Sequence, residues 1–363
     1  MSGQVLGLDE LDCGTAVAIG GPKIGRLVEL RAAGITVPHG FVLGATAYRR
    51  HCVNSGLDLI IDKVLGQLPP APSVRQLDAA SAEIRRAFLR APMSPELISS
   101  VTEAYQNLCA RHGPGNIPVA VRSSAAGEDG GQASFAGIFD TSLGIVGTRR
   151  LQEAVRDCWA SLFTPRALSY RRERGITHQD MPMAVGVLEL IPARASGVAF
   201  SAHPVTGRTD RIVIEGSWGW GEVVVQGHVI PDHAEVAKSD LRVLRYHIAR
   251  KEVMSDLDLA SGRIVSRPVP QHLRETRVAD SDEVAVIAAT VRRIEEHYGC
   301  PVDVEWVISR DRQAGAPVHI VQARPITTPV TESASLPRTG WDPVAFAFGM
   351  PPQLEVPWLR RTR

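Results

Sequence analysis

The chain has 363 residues, 40 basic against 39 acidic side chains, 44% hydrophobic content and five scattered cysteines. That length allows one large or two medium domains, and the near-neutral charge excludes bulk attraction to nucleic acid or membrane, leaving only a local basic patch open. No run approaches the roughly 18 apolar residues of a membrane span, the N-terminus carries no charged-then-apolar signal, and the odd, CxxC-free cysteines argue against a zinc site or disulfide framework, so a reducing, cytoplasmic setting is expected.

Residues 1–117 read as mixed but helix-rich. Ile24, Leu27 and Leu30 recur at helical spacing within Lys23–Ala33, and Gly34 stands where a helix would close. Helical patterns recur over Ala45–Cys52, Val74–Leu89 and Pro95–Arg111, with the three-proline stretch Leu68–Ser73 as a connector. From Val119 the texture changes to short apolar strands at Val119–Arg122, Ala184–Leu190, Gly197–Ser201, Ile212–Glu215 and Val223–Gln226, alternating with Gly-rich turns and two helices near 148–172. An amphipathic helix over Ser281–His297 leads into two further strands, PVDVEWVIS and VHIVQARPI, joined by the polar loop DRQAGAP. After Thr328 the chain turns Pro-rich and irregular, a linker or docking segment with Trp341, Phe346, Phe348 and Trp358 as anchors. The expected organisation is a two-lobed α+β body, residues 1–117 and 118–330, with segments near 190–240 open to assignment to either lobe, and a tail at 331–363.

The last two strands are the most informative stretch. Alternate residues of a strand share a face, so Asp303 lies with Glu305 and Gln322 with Arg324. Paired as a hairpin, these strands bring two carboxylates, an amide oxygen and a guanidinium to one patch. Hard oxygen ligands suit a magnesium ion and a fixed cation suits the polyphosphate it carries. A surface hairpin with a solvated ion pair is the plainer alternative. A strand ending in Arg122 runs into a loop rich in Gly, Ala and Ser before Asp140-Thr141, the composition with which backbone N–H groups approach an anion. Gly20-Gly21-Pro22 places Lys23 at a helix N-terminus, where a cation is poorly placed for the helix dipole; a docked phosphate explains it, and a solvated surface lysine is the alternative. His203 precedes Pro204 with no partner carboxylate at fixed spacing, so a turn histidine is favoured over a catalytic base. Glu215 and Glu222 are placed either to reach a ribose or metal or to cap turns.

Five segments together resemble the N-terminal nucleotide-binding domain of the phosphoenolpyruvate synthase and pyruvate phosphate dikinase family, an ATP-grasp fold also found in rifampin phosphotransferases. They are Gly21–Leu27 (GGKGxNL in the family), Val121–Thr141 (VRSSAxxED…SFAG…DT), Ser196–Gly207 (SGVxFTxxPVTG), Glu215–Glu222 (ExSWGLGE) and Asp303–Thr327 (DIEW…QARPIT), in the family's order over about residues 14–328. The resemblance implies two lobes enclosing a nucleotide cleft. It implies ATP contacts from Lys23, Arg122, Gly137, Thr141, Glu215 and Arg324, with Lys23, Arg122 and Arg324 acting on the transferring phosphate. Magnesium would be held by Glu305 and Gln322 with Asp303 in support, and Leu188–Ile191, including Glu189 and Ile191, would form the adenine hinge. Pro22, Ile24 and Leu188 depart from the family pattern.

The family's mobile domain, with a phosphorylatable histidine in a TSHAA-like motif, has no counterpart in this sequence, and His203 belongs to the nucleotide domain's own pattern. The chain is therefore similar to the nucleotide subunit of a split enzyme such as phenylphosphate synthase. By that resemblance it would transfer a phosphoryl or pyrophosphoryl group from Mg-ATP to a histidine on a separate carrier protein, with AMP and phosphate as eventual products. A nucleotide-sensing scaffold and an ATP-grasp ligase forming an acyl phosphate are the alternatives. No nucleic-acid or membrane partner is expected.

Overall fold

The computed structural model describes residues 4–125, 129–130, 133–134, 141–221, 229–258 and 263–326. Strand β1 (Val5–Gly7) precedes helix α1 (Cys13–Ala32), which starts ten residues before the helix expected at Lys23. The Asp12 carboxylate accepts from the Thr15 N–H and caps it. Gly21 interrupts α1 with φ 71° and ψ 175°, so the second half begins afresh at Pro22, a residue suited to a first helical position. Strand β2 (Gly40–Leu43) and helices α2 (Ala45–Asn54), α3 (Leu57–Gly66), α4 (Val74–Arg90) and α5 (Pro95–Ala110) follow. Ser73 and Gln76 form a reciprocal cap on α4, and Ser94 with Pro95 opens α5.

Next come β3 (Val119–Ala125), the short β4 (Asp129–Gly130) and β5 (Ala133–Ser134), β6 (Thr141–Ile145), α6 (Thr148–Ala160), α7 (Pro165–Glu173) and β7 (Met183–Glu189). Strands β8 (Ala193–Phe200), β9 (Arg211–Trp218), β10 (Asp232–Ala237), β11 (Val243–His247), β12 (Val253–Asp258) and β13 (Arg263–Pro268) lead to α8 (Ser281–Tyr298) and the closing pair β14 (Val302–Ser309) and β15 (His319–Pro325). Asp280 and Glu283 cap α8 reciprocally, and Gly299 closes it in the left-handed conformation. The expected strand at Val223–Gln226, Glu222, Gly137 and the Pro-rich tail lie outside the described residues.

Two larger sheets organise the α+β fold. One has the order β1-β2-β7-β3-β6 and the other β11-β10-β9-β8-β14-β15. The division expected at residue 117 does not separate them: β2 pairs antiparallel with β7, so strands from both sides of that position build one sheet. Helices α2–α7 cover one face of the first sheet, burying Phe88, Tyr105, Trp159 and Phe163 against Val121 and Val187. Helices α1 and α8 share a second core with the six-stranded sheet, around Leu27, Leu30, Ile287, Val304 and Trp306. Helix α1 touches β3 and β7 of one sheet and β15 of the other. Ile24 makes this possible where it meets β7: a Cβ on Gly186 would stand 2.2 Å from the Ile24 Cδ1 atom, so the glycine leaves the isoleucine its space.

A buried ion pair fixes the start of β10. Lys251 is fully buried, and its Nζ donates to Asp232 Oδ1 at 2.5 Å and to the Ala249 carbonyl at 2.8 Å. Asp232 also accepts from the Tyr246 hydroxyl and from the Ala249 and Val278 N–H groups, each at 3.0 Å. Removing the lysine leaves a buried carboxylate without its counter-charge. Lys251→Met is expected to lower stability by about 3 kcal/mol, seen as a lower urea midpoint with an unchanged slope; a midpoint equal to that of the unaltered protein would contradict the role.

Candidate functional site

The hairpin forms as the alternation predicts. On β14, Val302, Val304, Trp306 and Ile308 enter the second core, which turns Asp303 and Glu305 to the opposite face. Across the β14–β15 ladder Asp303 stands opposite Arg324 and Glu305 opposite Gln322, with a register shift after Glu305. Arg324 Nε donates to Asp303 Oδ2 at 2.7 Å, and its Nη2 lies 2.6 Å from the same oxygen.

Arg122 comes from the other sheet. Val119, Val121 and Ala125 of β3 face the helical layer, so Arg122 points to the opposite side. Its Nη2 donates to Gln322 Oε1 at 2.7 Å and Glu305 Oε2 at 3.2 Å, and its Nη1 donates to the Val321 carbonyl at 2.8 Å. Its side chain is 14% exposed. One guanidinium thus rests on the two oxygens expected to hold a cation, and on the outer edge of the last strand. Thr141 stands directly opposite Arg122 in the β3–β6 ladder.

Lys23 sits in the first turn after the α1 interruption. That turn lies against β3: a Cβ on Gly21 would stand 2.4 Å from the Ser124 carbonyl oxygen, and the Ser124 hydroxyl accepts from the Ile24 N–H at 3.4 Å. The lysine's turn is therefore packed on the strand that carries Arg122, two residues farther on. No local pattern marks Ser124 for this joint, because a hydroxyl in a Ser/Gly-rich stretch has no fixed partner until the fold supplies one.

The expected hinge segment, Leu188–Ile191, ends β7 and leads into β8. Leu188 packs into the second core. The Glu189 carboxylate is on the helical-layer side: Oε1 accepts from the His39 N–H at 2.7 Å, and His112 Nε2 lies 2.5 Å from Oε2. Because successive strand residues alternate faces, the Glu189 side chain is turned away from the Arg122 face. Ile191 is buried, and its carbonyl accepts from the Trp220 indole N–H at 3.0 Å.

Glu215 lies in the same cross-strand row as the hairpin pair. The registers run Gln322–Glu305, Glu305–Val198, Val198–Glu215 and Glu215–His233, so all five residues share one face. Glu215 is 1% exposed, and its Oε1 lies 3.1 Å from His233 Nδ1. Burial pushes its carboxyl group up from the ordinary range, and the His233 hydrogen bond partly offsets this. His233 escaped the sequence analysis, although the buried-exposed alternation of DHAEVA marks its strand. His203 is a turn histidine, as expected: its Nδ1 accepts from the Val205 and Thr206 N–H groups at 3.2 and 3.3 Å.

Chemically, the patch can neutralise and orient a polyanion. Among the described residues no group of three or more His, Cys, Asp or Glu side chains is arranged to hold a metal. The oxygen pair of Glu305 and Gln322, however, already converges on a cationic group, which is the donor set magnesium takes. Among the described residues no helix is long and apolar enough to cross a membrane.

A family model described as pyruvate phosphate dikinase, AMP/ATP-binding domain, matches residues 17–338. A probable phosphoenolpyruvate synthase of Methanothermobacter thermautotrophicus is 41% identical over 312 residues, covering 86% of this chain and 44% of the relative. A probable phosphoenolpyruvate synthase of Methanocaldococcus jannaschii is 40% identical, covering 88% and 26%, and the phosphoenolpyruvate synthase of Aeropyrum pernix is 37% identical, covering 89% and 42%. The chain thus spans less than half the length of each of these relatives.

Two glycine substitutions test the turn that carries Lys23. Gly21→Ala combines a positive φ with a backbone collision and should cost roughly 2–3 kcal/mol. Gly56→Ala, also at positive φ but with nothing within 4 Å, isolates the conformational part and should cost about 1 kcal/mol. Equal urea midpoints for the two variants would contradict the packing of Gly21 on Ser124.

Proposed function

The chain belongs to the pyruvate phosphate dikinase AMP/ATP-binding domain family, and from that premise we propose that it is the Mg-ATP-binding, phosphoryl-donating unit of a dikinase-type enzyme. In this reading the two sheets are the lobes of an ATP-grasp fold and the nucleotide lies between them. Lys23, Arg122, Thr141 and Arg324 bind the phosphates, together with Gly137, which lies outside the described residues. Glu305 and Gln322 would hold magnesium, with Asp303 fixing Arg324 beside them. The bound ion would supply neutralisation of charge on the phosphate oxygens. The observation that carries this reading is the convergence of Glu305 Oε2 and Gln322 Oε1 on one guanidinium nitrogen of Arg122.

The chemistry asked of these residues is positioning and charge neutralisation. Phosphoryl transfer needs an in-line nucleophile and stabilisation of charge on the moving group, and little covalent participation by the protein. Arg122 and Arg324 present planar, positively charged donor pairs, the geometry that matches phosphate oxygens. Lys23, at a helix start, adds a cation beside N–H groups that already favour an anion.

The acceptor is a histidine on a partner polypeptide, and the cycle releases AMP and phosphate in the cytoplasm. The chain spans 44, 26 and 42% of the length of three phosphoenolpyruvate synthases. The final acceptor is chosen by modules other than this unit.

The test uses ATP labelled at the β-phosphate, magnesium and extract of the cells that make this chain. An acid-labile, base-stable label on a second polypeptide is the expected result, and Arg122→Ala should slow its appearance about 100-fold, corresponding to about 3 kcal/mol in the transition state. Label on this chain itself, ADP as the product without any labelled protein, or normal labelling by the alanine variant would each overturn the assignment.

A further inference from the structure

The helical layer behind the first sheet encloses a positive charge with no counter-charge among the described residues. Arg171, on α7, is 3% exposed. Its Nη2 donates to the Leu162 carbonyl at 2.9 Å and its guanidinium lies 5.0 Å from the centre of the Phe163 ring, while its Nε is buried without a hydrogen-bond partner. Burial lowers its pKa only to about 10, so the side chain stays charged at neutral pH, and no carboxylate acts on it. Buried charges in folded proteins are ordinarily paired.

The neighbours do not supply the missing charge. Burial raises the Tyr48 phenol, which acts electrostatically on Arg171, well above its ordinary range, and raises the Cys52 thiol beside it to about 12. Burial and the Arg156 charge lower His51 to about 4, leaving a neutral imidazole. The same neighbours lack hydrogen-bond partners: the Tyr48 hydroxyl, His51 Nε2 and Trp159 Nε1 are all buried without one, the Cys52 sulfur being only a weak acceptor. These groups share one aromatic cluster. The Trp159 ring lies 5.1 Å from that of His51 and 6.0 Å from that of Tyr48, and Phe88 links Tyr48, at 6.2 Å, to Phe163, at 5.4 Å. Indole and guanidinium nitrogens donate only, and a hydroxyl or a neutral imidazole can donate as well. Water would satisfy such donors and leave the charge unbalanced.

We propose that Arg171, Tyr48, Trp159 and His51 hold a small monovalent anion, of the size of chloride, inside the helical layer. One negative charge balances one buried guanidinium, which a phosphate would exceed. The surrounding rings favour an anion as well, because aromatic edges carry the positive part of the ring quadrupole. The donors come from α2, α6 and α7. Helix α2 packs on β7 and α6 on β3, the strand that carries Arg122, so the ion fixes the helices behind that strand. This site is separate from the Arg122 patch and does not rest on the Mg-ATP reading.

The test is thermal unfolding of the whole chain in sodium chloride and in sodium gluconate at matched ionic strength, gluconate being too large for the site. Chloride should raise the Tm by about 2 °C for each tenfold increase once the site begins to fill, and gluconate should not. Trp159→Phe keeps the ring and removes one donor, and should move the response to about tenfold higher chloride. Arg171→Met should abolish it. Crystals grown in bromide should show an anomalous peak beside Arg171 and Trp159, a readout that stands even where the variants fail to fold. Equal melting in the two salts, a chloride response unchanged in both variants, or bromide found at the surface alone, an adventitious ion only, would each overturn the inference.

Discussion

The contact on which this molecule turns is that of Arg122 with Glu305, Gln322 and the Val321 carbonyl. Nearly two hundred residues separate its ends, and it ties the central part of one sheet to the last hairpin of the other. A guanidinium is suited to the task because it stays charged and offers several donors in one plane. It also gives the Val321 carbonyl of β15, the last strand of its sheet, a partner. With a magnesium nucleotide, the proposed function requires the arginine to share or exchange these oxygens for phosphate. Binding and the relation between the two sheets would then be one event, since the same side chain serves both.

The rest of the site depends on strand register. A six-stranded antiparallel sheet carries one face into the core around Trp306 and Val304, and the other holds Asp303, Glu305, Gln322, Arg324 and Glu215. A slip of one residue in β14 would exchange those sets, placing two carboxylates against α8 and a tryptophan among the polar side chains of the other face. The apolar alternation of β14 thus specifies the chemistry of its polar side. Helix α1 adds a second constraint, because the glycine at its interruption lets the Lys23 turn close on Ser124.

Much of this was legible in the sequence where the pattern is local. Period-two alternation in DVEW and QAR predicts the facing pairs of the hairpin, and the amphipathic pattern over Ser281–His297 marks a helix that is found where expected. The family motifs are carried by the same residues. What was not legible depends on long-range pairing. The division at residue 117 failed because β2 seeks its partner in β7, about 140 positions later. Helix α1 was placed too late, since Gly20-Gly21-Pro22 looks like a start when it is an interruption within a longer element. His39 and His112, distant in sequence, are brought to Glu189 only by the fold. The partnership of His233 with Glu215 is a cross-strand contact that no spacing rule in one sequence announces.

The central claim is that the Glu305–Gln322 oxygen pair under Arg122 is a magnesium site for a polyphosphate. Calorimetric titration of the whole chain with ATP, with and without magnesium, tests it most directly when repeated on Glu305→Gln. The account predicts that magnesium tightens ATP binding to the unaltered protein and that the substitution removes most of this gain while leaving metal-free binding in place. An ATP affinity indifferent to magnesium, or a magnesium effect that survives Glu305→Gln undiminished, would contradict it.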